Sequence, residues 1–398
     1  LCAIMSGMPL FFKARHTLFK IIYVAALSAL VLPVINDIFA VRISAYKGLM
    51  QALKEDGSRH VRTINSSYSR LDVFENPRMK FAPGLSLRCM EPVPLGQGIS
   101  IDGEVAGTFI DDKEISKYDF FPYLSAALPF ILMEAKDVVV IGMRNGLDAL
   151  LPYYFGGKNI YVLENDLSVL RFVHTFYGTD SLYRNSLYNS SGRTFLKQKE
   201  KPADIIFISK TGFSPSGTFG LREDYDLTVE AVKIYLKGLK ENGFLFIRMF
   251  IAPPPRYELR MMNNIVHAIE GKGIGGISRH LLIYRSWDTI NFLIKKSVFS
   301  EAELDKANSF LKDREFEMLY PKNTCCGGFI IGLDYPGLFE NISDAQKRKA
   351  FEKEYPFDIS SITDDRPFFH YFLKISRIRE IFDQSGKKWA YFIYEGMG

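Results

Sequence analysis

The chain has 398 residues, 47% of them hydrophobic and 24% charged, with 50 Lys+Arg against 45 Asp+Glu for a net charge of +5. This excludes disordered and collagen-like chains and requires a real core, while the small net charge, without a Lys/Arg block, gives no reason to expect nucleic acid as a partner. Cys2, Cys89, Cys325 and Cys326 are too few and too badly spaced for a disulfide framework or a four-ligand zinc site, so no metal is expected.

Residues 1–12 carry no charge, as a piece of a longer apolar segment would not. After Lys13-Ala14-Arg15-His16, the uncharged run from Ile21 to Asn36 would cover about 24 Å of a roughly 30 Å hydrocarbon core, and it contains Pro33. With Lys20 snorkelling and the run continued past Asp37 it reaches spanning length; a buried helix or a signal-type segment is the alternative. Residues 1–45 are therefore expected to associate with the inner or cytoplasmic membrane. Arg42, Lys47 and Lys54 nearly balance the basic loop, so the side on which the globular part lies stays open.

Residues 46–117 read as a small antiparallel sheet: VRTINSSYSRLDVFE, FAPGLSLRC and GQGISIDGEVAGTFIDD, punctuated by turn residues. Asp119–Met133 has helical spacing of large residues despite Pro122 and Pro129. Residues 118–299 then alternate. The continuous apolar runs DVVVI (137–141), NIYVL (159–163), DIIFI (204–208) and GFLFIRM (243–249) predict strands buried on both faces. LDALLPYYF, Leu167–Tyr177 and Leu227–Leu239 predict the intervening helices. This order predicts an α/β fold with a mostly parallel, Rossmann-like sheet and helices on both faces. Leu281–Tyr284 and Ile290–Ile294 flank RSWDT as a terminal hairpin, and residues 300–398 form an α/loop extension, helical around Glu301–Arg314.

Open parallel sheets bind ligands at the carboxyl ends of their strands, near the switch point. VVVIGMRNGLDAL supplies that geometry: Gly142 allows the tight exit from the strand, and Gly146 would let the backbone approach a nucleoside. Glu164, at the tip of the next strand, follows at about the spacing from which a carboxylate accepts ribose hydroxyls. Arg144, Asn145 and Asn165 flank these positions. Ser190, Ser191, Gly192 and Arg193 are candidates for the adenine side, and Ser209-Lys210-Thr211 for the reacting side. A generic βα turn with an unrelated surface Glu is the alternative.

With these residues in view, the chain resembles the spermidine synthase-like (polyamine aminopropyltransferase-like) family, in its membrane-fused branch. The resemblance runs from about Ser44 to Phe372 through SAYKGLMQAL, SSYSRLDVFENPRMKFAPGLSL, the IDG turn, VVVIGMRNGLDAL, YVLEND, GRTFL, EDYDLTVEAVKIYLKGLKENGFLFI and TDDRPFF. It implies a small β domain before a methyltransferase-type Rossmann domain, with S-adenosylmethionine or its decarboxylated form as cofactor. Gly142, Arg144, Asn145, Gly146, Glu164, Asn165, Ser191 and Gly192 would hold that cofactor. Asp102 and Gly103 would cover the site, and Glu223, Tyr225, Thr228 and Glu230 match the family's helix start beside the substrate pocket. Ser209, Tyr225 and Asp102 are the weak catalytic candidates.

The departures bear on chemistry. The family's two amine-handling Asp positions read Ser209 and Gly212, its Tyr-His-Glu cluster reads Phe121-Pro122-Tyr123, and its Gly-rich loop reads Gly142-Met143-Arg144-Asn145-Gly146. A cationic diamine needs carboxylates to hold it and a base to neutralise its nitrogen, so an active enzyme would use another small-molecule acceptor. Arg144 would oppose a sulfonium unless it turned away. Thr363-Asp364-Asp365-Arg366-Pro367-Phe368-Phe369 reads as structural: a cap, an ion pair and buried aromatics. The expected function is thus an S-adenosyl-binding group transferase with an atypical acceptor; the alternative is an inactive scaffold at a membrane, and a homodimer is one assembly the reading allows.

Overall fold

The structure is a computed structural model that describes residues 43–211, 221–270, 276–322 and 334–377, with isolated positions at 17, 20, 21, 24, 25 and 379. The chain divides into two units, Leu1–Lys47 and Gly48–Gly398, and the second carries both sheets. Most of the apolar run Ile21–Asn36, together with Cys2, Gly212 and Cys325-Cys326, lies outside the described residues. Among the described residues no helix is long and apolar enough to cross a membrane.

The first sheet is antiparallel in the order β1-β2-β3-β4: Arg59–Asn65, Arg70–Glu75, Gln97–Ile101 and Glu104–Phe109. Its hairpin turn is Asp102-Gly103, both with positive φ (52° and 86°), as a tight turn requires. The second sheet has eight strands in the order β12-β10-β11-β9-β8-β5-β6-β7. Its parallel part comprises β5 (Asp137–Ile141), β6 (Asn159–Glu164), β7 (Leu187–Asn189), β8 (Ala203–Lys210) and β9 (Leu239–Phe250). The antiparallel strands are β10 (Leu281–Arg285), β11 (Thr289–Lys295) and β12 (Glu317–Tyr320), which lie beyond β9.

The apolar runs are buried on both faces because alternate residues enter different cores. Val138 and Val140 join a cluster with Val169 and Phe172 of the helix Leu167–Tyr177, while Val139 and Ile141 join one with Val232 and Tyr235 of the helix Val229–Lys237. β6 lies on one side of β5 and β8 on the other, so the chain reverses its direction of winding there. A crevice opens at the carboxyl ends at that point.

Two predicted helices are shorter than the pattern implied. Asp119–Met133 resolves into 3₁₀ turns at Phe121–Tyr123 and Ser125–Ala127 and a short helix Leu128–Leu132, and the segment after β5 is helical only over Leu151–Tyr154. Pro122, Pro129 and Pro152 each sit in the first turn of one of these pieces, where a missing N–H is tolerated; further in, each would interrupt a longer helix. The predicted hairpin is β10–β11, but it does not end the sheet: β12, from the stretch 300–398 expected to hold only helix and loop, pairs onto β10. The helix at Glu301–Asp313 begins with a capping box between Ser300 and Glu303.

Candidate functional site

The carboxyl ends of β5, β6 and β8 border a cavity of about 500 Å³, within the range of small-molecule sites. Gly142, Arg144, Glu164, Asn165, Ser191 and Gly192 line it, as do Ser209 and Tyr225. Asp102, Asn145 and Gly146 are not among the lining residues.

Gly142 has φ +89°, and a Cβ there would meet nothing nearer than the Ser209 carbonyl at 3.7 Å, so the loop is open toward the cavity. The Met143 side chain is buried in the core and does not crowd the cleft. Gly146, at φ +72°, plays a different part from the one expected. A Cβ there would lie 2.6 Å from the Thr108 carbonyl and 3.0 Å from the Phe109 ring, so this glycine packs against β4 and does not line the cavity. Asn145 is buried as well. Its side-chain amide donates to Ser209 Oγ (3.0 Å), Thr211 Oγ1 (2.9 Å) and Asp148, and its Oδ1 accepts from the Asp148 N–H (3.1 Å). Asp148 in turn pairs with Arg248, both fully buried, and Arg248 Nη1 donates to the Pro83 carbonyl (2.6 Å).

Glu164 ends β6 with its carboxylate locked by the backbone. Oε1 accepts from the N–H groups of Asn165 (3.0 Å) and Asp166 (2.9 Å), and Oε2 accepts from the Met143 N–H (3.1 Å). An ionised carboxylate has about four acceptor positions. Three are taken, which leaves one acceptor position on Oε2, fewer than the two that the sequence reading had assigned to ribose hydroxyls. Asp166 caps the following helix and accepts from the hydroxyls of Ser66 (3.0 Å), Ser69 and Ser168 (2.7 Å). The SSYS turn of the small sheet thereby braces the strand end that carries Glu164. Burial raises the Asp166 carboxyl, but the Ser69 and Ser168 hydroxyls outweigh it and hold the carboxyl below the ordinary range.

Ser191 caps the helix Gly192–Gln198 through Thr194 N–H (3.2 Å). A side chain at 192 would collide with Ile141, so this glycine sets how closely the helix lies on β5. Beside it, Arg193 pairs bidentately with Asp364 (2.8 and 2.6 Å), and Asp364 also accepts from the Thr228 hydroxyl (2.8 Å). In the late TDDRPFF string the ion pair is therefore made by Asp364, not by Arg366 as expected, and Asp364 accepts from a helix-capping Thr228 in place of capping a helix itself. Phe369 and Phe372 are buried, and Arg260 donates to the carbonyls of Phe368 (3.1 Å), Phe369 (2.8 Å) and Tyr371 (2.6 Å).

The string also delivers a group that sequence reasoning missed. His370 lines the cavity with Nε2 3.6 Å from Asp224, while Lys210 Nζ lies 3.0 Å from Asp224 and 3.3 Å from Asp226. Burial would raise the Asp224 carboxyl, but Lys210 and His370 outweigh it and hold it well below the usual carboxylate range. Lys210 is raised, because Asp224 and Asp226 outweigh its burial; burial lowers His370, favouring neutral imidazole. The alternation Asp224-Tyr225-Asp226 was visible in the sequence, but nothing local announced that Lys210 and His370 would meet it.

Of the three weak catalytic candidates, Ser209 and Tyr225 line the same cavity as this cluster and Asp102 does not. Tyr225 is at the exposed rim, its hydroxyl pushed up chiefly by a hydrogen bond with Glu223. Asp102 turns to its own sheet, accepting from the Arg70 N–H (2.9 Å). Ser209 is fixed by Asn145 and Thr211, neither of which is a base. No cluster that could hold a metal ion occurs among the described residues.

No protein-family model and no curated protein matches the chain. Among solved structures it is similar to a spermidine synthase from Thermotoga maritima, at 16% identity over 63% of this chain and 78% of that one, with a TM-score of 0.43. It is similar to a probable spermidine synthase from Corynebacterium glutamicum at 13% identity over 65% and 90%, with a TM-score of 0.43. An rRNA methylase from Streptococcus thermophilus matches at 16% identity over 43% and 94%, with a TM-score of 0.29. These identities leave the chemistry of this chain to its own residues.

Proposed function

We propose that the cleft binds an S-adenosyl-type nucleoside and that the protein, as an enzyme, transfers a group from it to an acceptor other than an ordinary diamine. The observation that carries this reading is Glu164, a carboxylate fixed by three backbone N–H groups, beside an open glycine turn on one cavity. The residues fit the ligand: Gly142 leaves space for it, Oε2 of Glu164 keeps one acceptor position for a ribose hydroxyl, and Ile141 and Leu163 give the base an apolar wall. When bound, such a nucleoside supplies a sulfonium-activated carbon. This chain's own residues supply orientation and, at His370, an imidazole that is able to take a proton.

The case against a diamine lies in the other half of the cleft. Ser209 stands where an amine-deprotonating acid would be needed, and Asp224 and Asp226 already share Lys210, which offsets one of their two charges. The same internal pairing favours a second reading, an inactive binding module in which the cleft's acids and bases satisfy one another. Membrane attachment through residues 1–45 remains part of the proposal on the strength of the apolar run alone. It is checked by vesicle flotation of the full chain.

Titration calorimetry with 5′-methylthioadenosine tests the nucleoside site. The expected result is binding that Glu164→Ala weakens by about tenfold or more, the worth of a charge-assisted hydrogen bond. No heat at millimolar nucleoside refutes the reading. Binding with no transfer to any acceptor favours the inactive module.

A further inference from the structure

Of the residues that line the cleft, only His370 has a side chain that titrates near neutrality. Its Nε2 lies 3.6 Å from Asp224, whose carboxylate is also 3.0 Å from Lys210 Nζ at the end of β8. Arg260 and the Tyr257 ring, 5.6 Å away, face it from the helix Tyr257–Glu270, and Phe369 packs against it from its own segment. Nδ1 is buried and, among the described residues, has no hydrogen-bond partner. Protonating both nitrogens would bury an unpaired N–H, so the geometry favours the uncharged ring. Burial acts in the same sense: it outweighs Asp224 and, with Lys210 and Arg260 adding to it, lowers His370.

Resting on the nucleoside reading above, we infer that His370 determines how the cleft distinguishes a sulfonium donor, S-adenosylmethionine, from its neutral thioether product, S-adenosylhomocysteine. The two ligands share nucleoside and amino-acid tail, and differ by one methyl group and one positive charge at sulfur. Ser209 and Lys210 at the end of β8 line the cavity, and the Ser209 carbonyl bounds the space that Gly142 leaves open. A sulfur carried past Gly142 therefore shares one partly enclosed cavity with His370, where unit charges act on each other with little screening. With the ring uncharged, Asp224, Asp226 and Lys210 hold one negative charge between them; a proton on His370 cancels it and repels the sulfonium. Proton and sulfonium thus compete, and by linkage the donor lowers the proton affinity of His370 by the factor that the proton lowers the affinity for the donor. Acidification shifts the cleft from donor toward product.

Calorimetry on the full chain separates this inference from the reading beneath it. Between about pH 7.5 and about pH 5, the affinity for S-adenosylmethionine relative to S-adenosylhomocysteine is expected to fall by at least about threefold. His370→Gln should remove most of that fall; titration of the ligands themselves is common to both proteins and cancels. Should the variant fail to fold, the wild type alone decides: in buffers of different ionisation enthalpy near about pH 6, S-adenosylmethionine should release a fraction of a proton on binding that S-adenosylhomocysteine does not. A ratio of affinities that is constant with pH, an equal fall in wild type and His370→Gln, or equal proton release by the two ligands overturns the inference while leaving the nucleoside site standing. If neither S-adenosylhomocysteine nor 5′-methylthioadenosine binds, the nucleoside reading falls and this inference with it.

Discussion

Asp148→Ala probes the element that joins the nucleoside turn to the rest of the molecule. The wild-type carboxylate faces Arg248 on one oxygen and the Asn145 amide on the other, and Asp148 and Arg248 are both fully buried. Deleting it strands a guanidinium in the core that keeps its Nη1 bond to the Pro83 carbonyl but has no counter-charge from Asp148. Losing one partner of a buried ion pair costs about 3–5 kcal/mol, a fall in Tm of about 4–7 °C for a unit of this size. Removing both charges, as in Asp148→Leu with Arg248→Met, should recover at least half of that loss, because an apolar pair of similar volume carries no desolvation penalty. Urea denaturation and thermal scans measure the stability terms. In both variants Asn145, the strut behind Ser209 and the glycine turn, loses one of its three acceptors, so 5′-methylthioadenosine should bind somewhat more weakly even where stability returns. The reasoning is refuted if Asp148→Ala costs less than about 1 kcal/mol, or if the double variant is less stable than either single one.

Three more outcomes follow from the geometry. Gly146→Ala, which puts a Cβ against the Thr108 carbonyl at positive φ, should lower stability by about 2 kcal/mol or more in urea unfolding. Gly142→Ala, with nothing nearer than 3.7 Å, should cost only its backbone strain of about 1–2 kcal/mol and show its larger effect as weaker nucleoside binding. The Asp364 carboxyl is held below its ordinary value first by Arg193, against burial and with help from Thr228, so its contribution is complete above the unfolded carboxyl's range and fades as pH falls through the lower folded value. The Tm difference between wild type and Asp364→Asn should therefore be constant near neutrality and shrink as the pH is lowered from about 5 toward 3.

The parallel sheet was legible because DVVVI, NIYVL and DIIFI are continuous apolar runs, which only strands covered on both faces require. Glu164 was legible because strand, glycine turn, helix and strand set its spacing. Gly142 and Gly146 look alike in sequence, yet one faces the cavity and the other packs on Thr108 and Phe109. That difference depends on where β4 lies, and no local pattern encodes it. Asn145 likewise appeared as a ligand contact and is instead a strut between Asp148, Ser209 and Thr211. His370 could not be placed from the sequence. The tail reaches the cleft only because Arg260 grips its carbonyls and Arg193 grips Asp364. The shortened helices were foreshadowed by Pro122, Pro129 and Pro152, whose ring geometry outweighed the apolar periodicity.

A structure of the protein crystallised with S-adenosylhomocysteine tests the central claim most directly. The account predicts a ribose hydroxyl within hydrogen-bond distance of Glu164 Oε2, with the ligand passing the open face of Gly142. Density for the ligand elsewhere, or a ribose that makes no bond to Glu164, would contradict it.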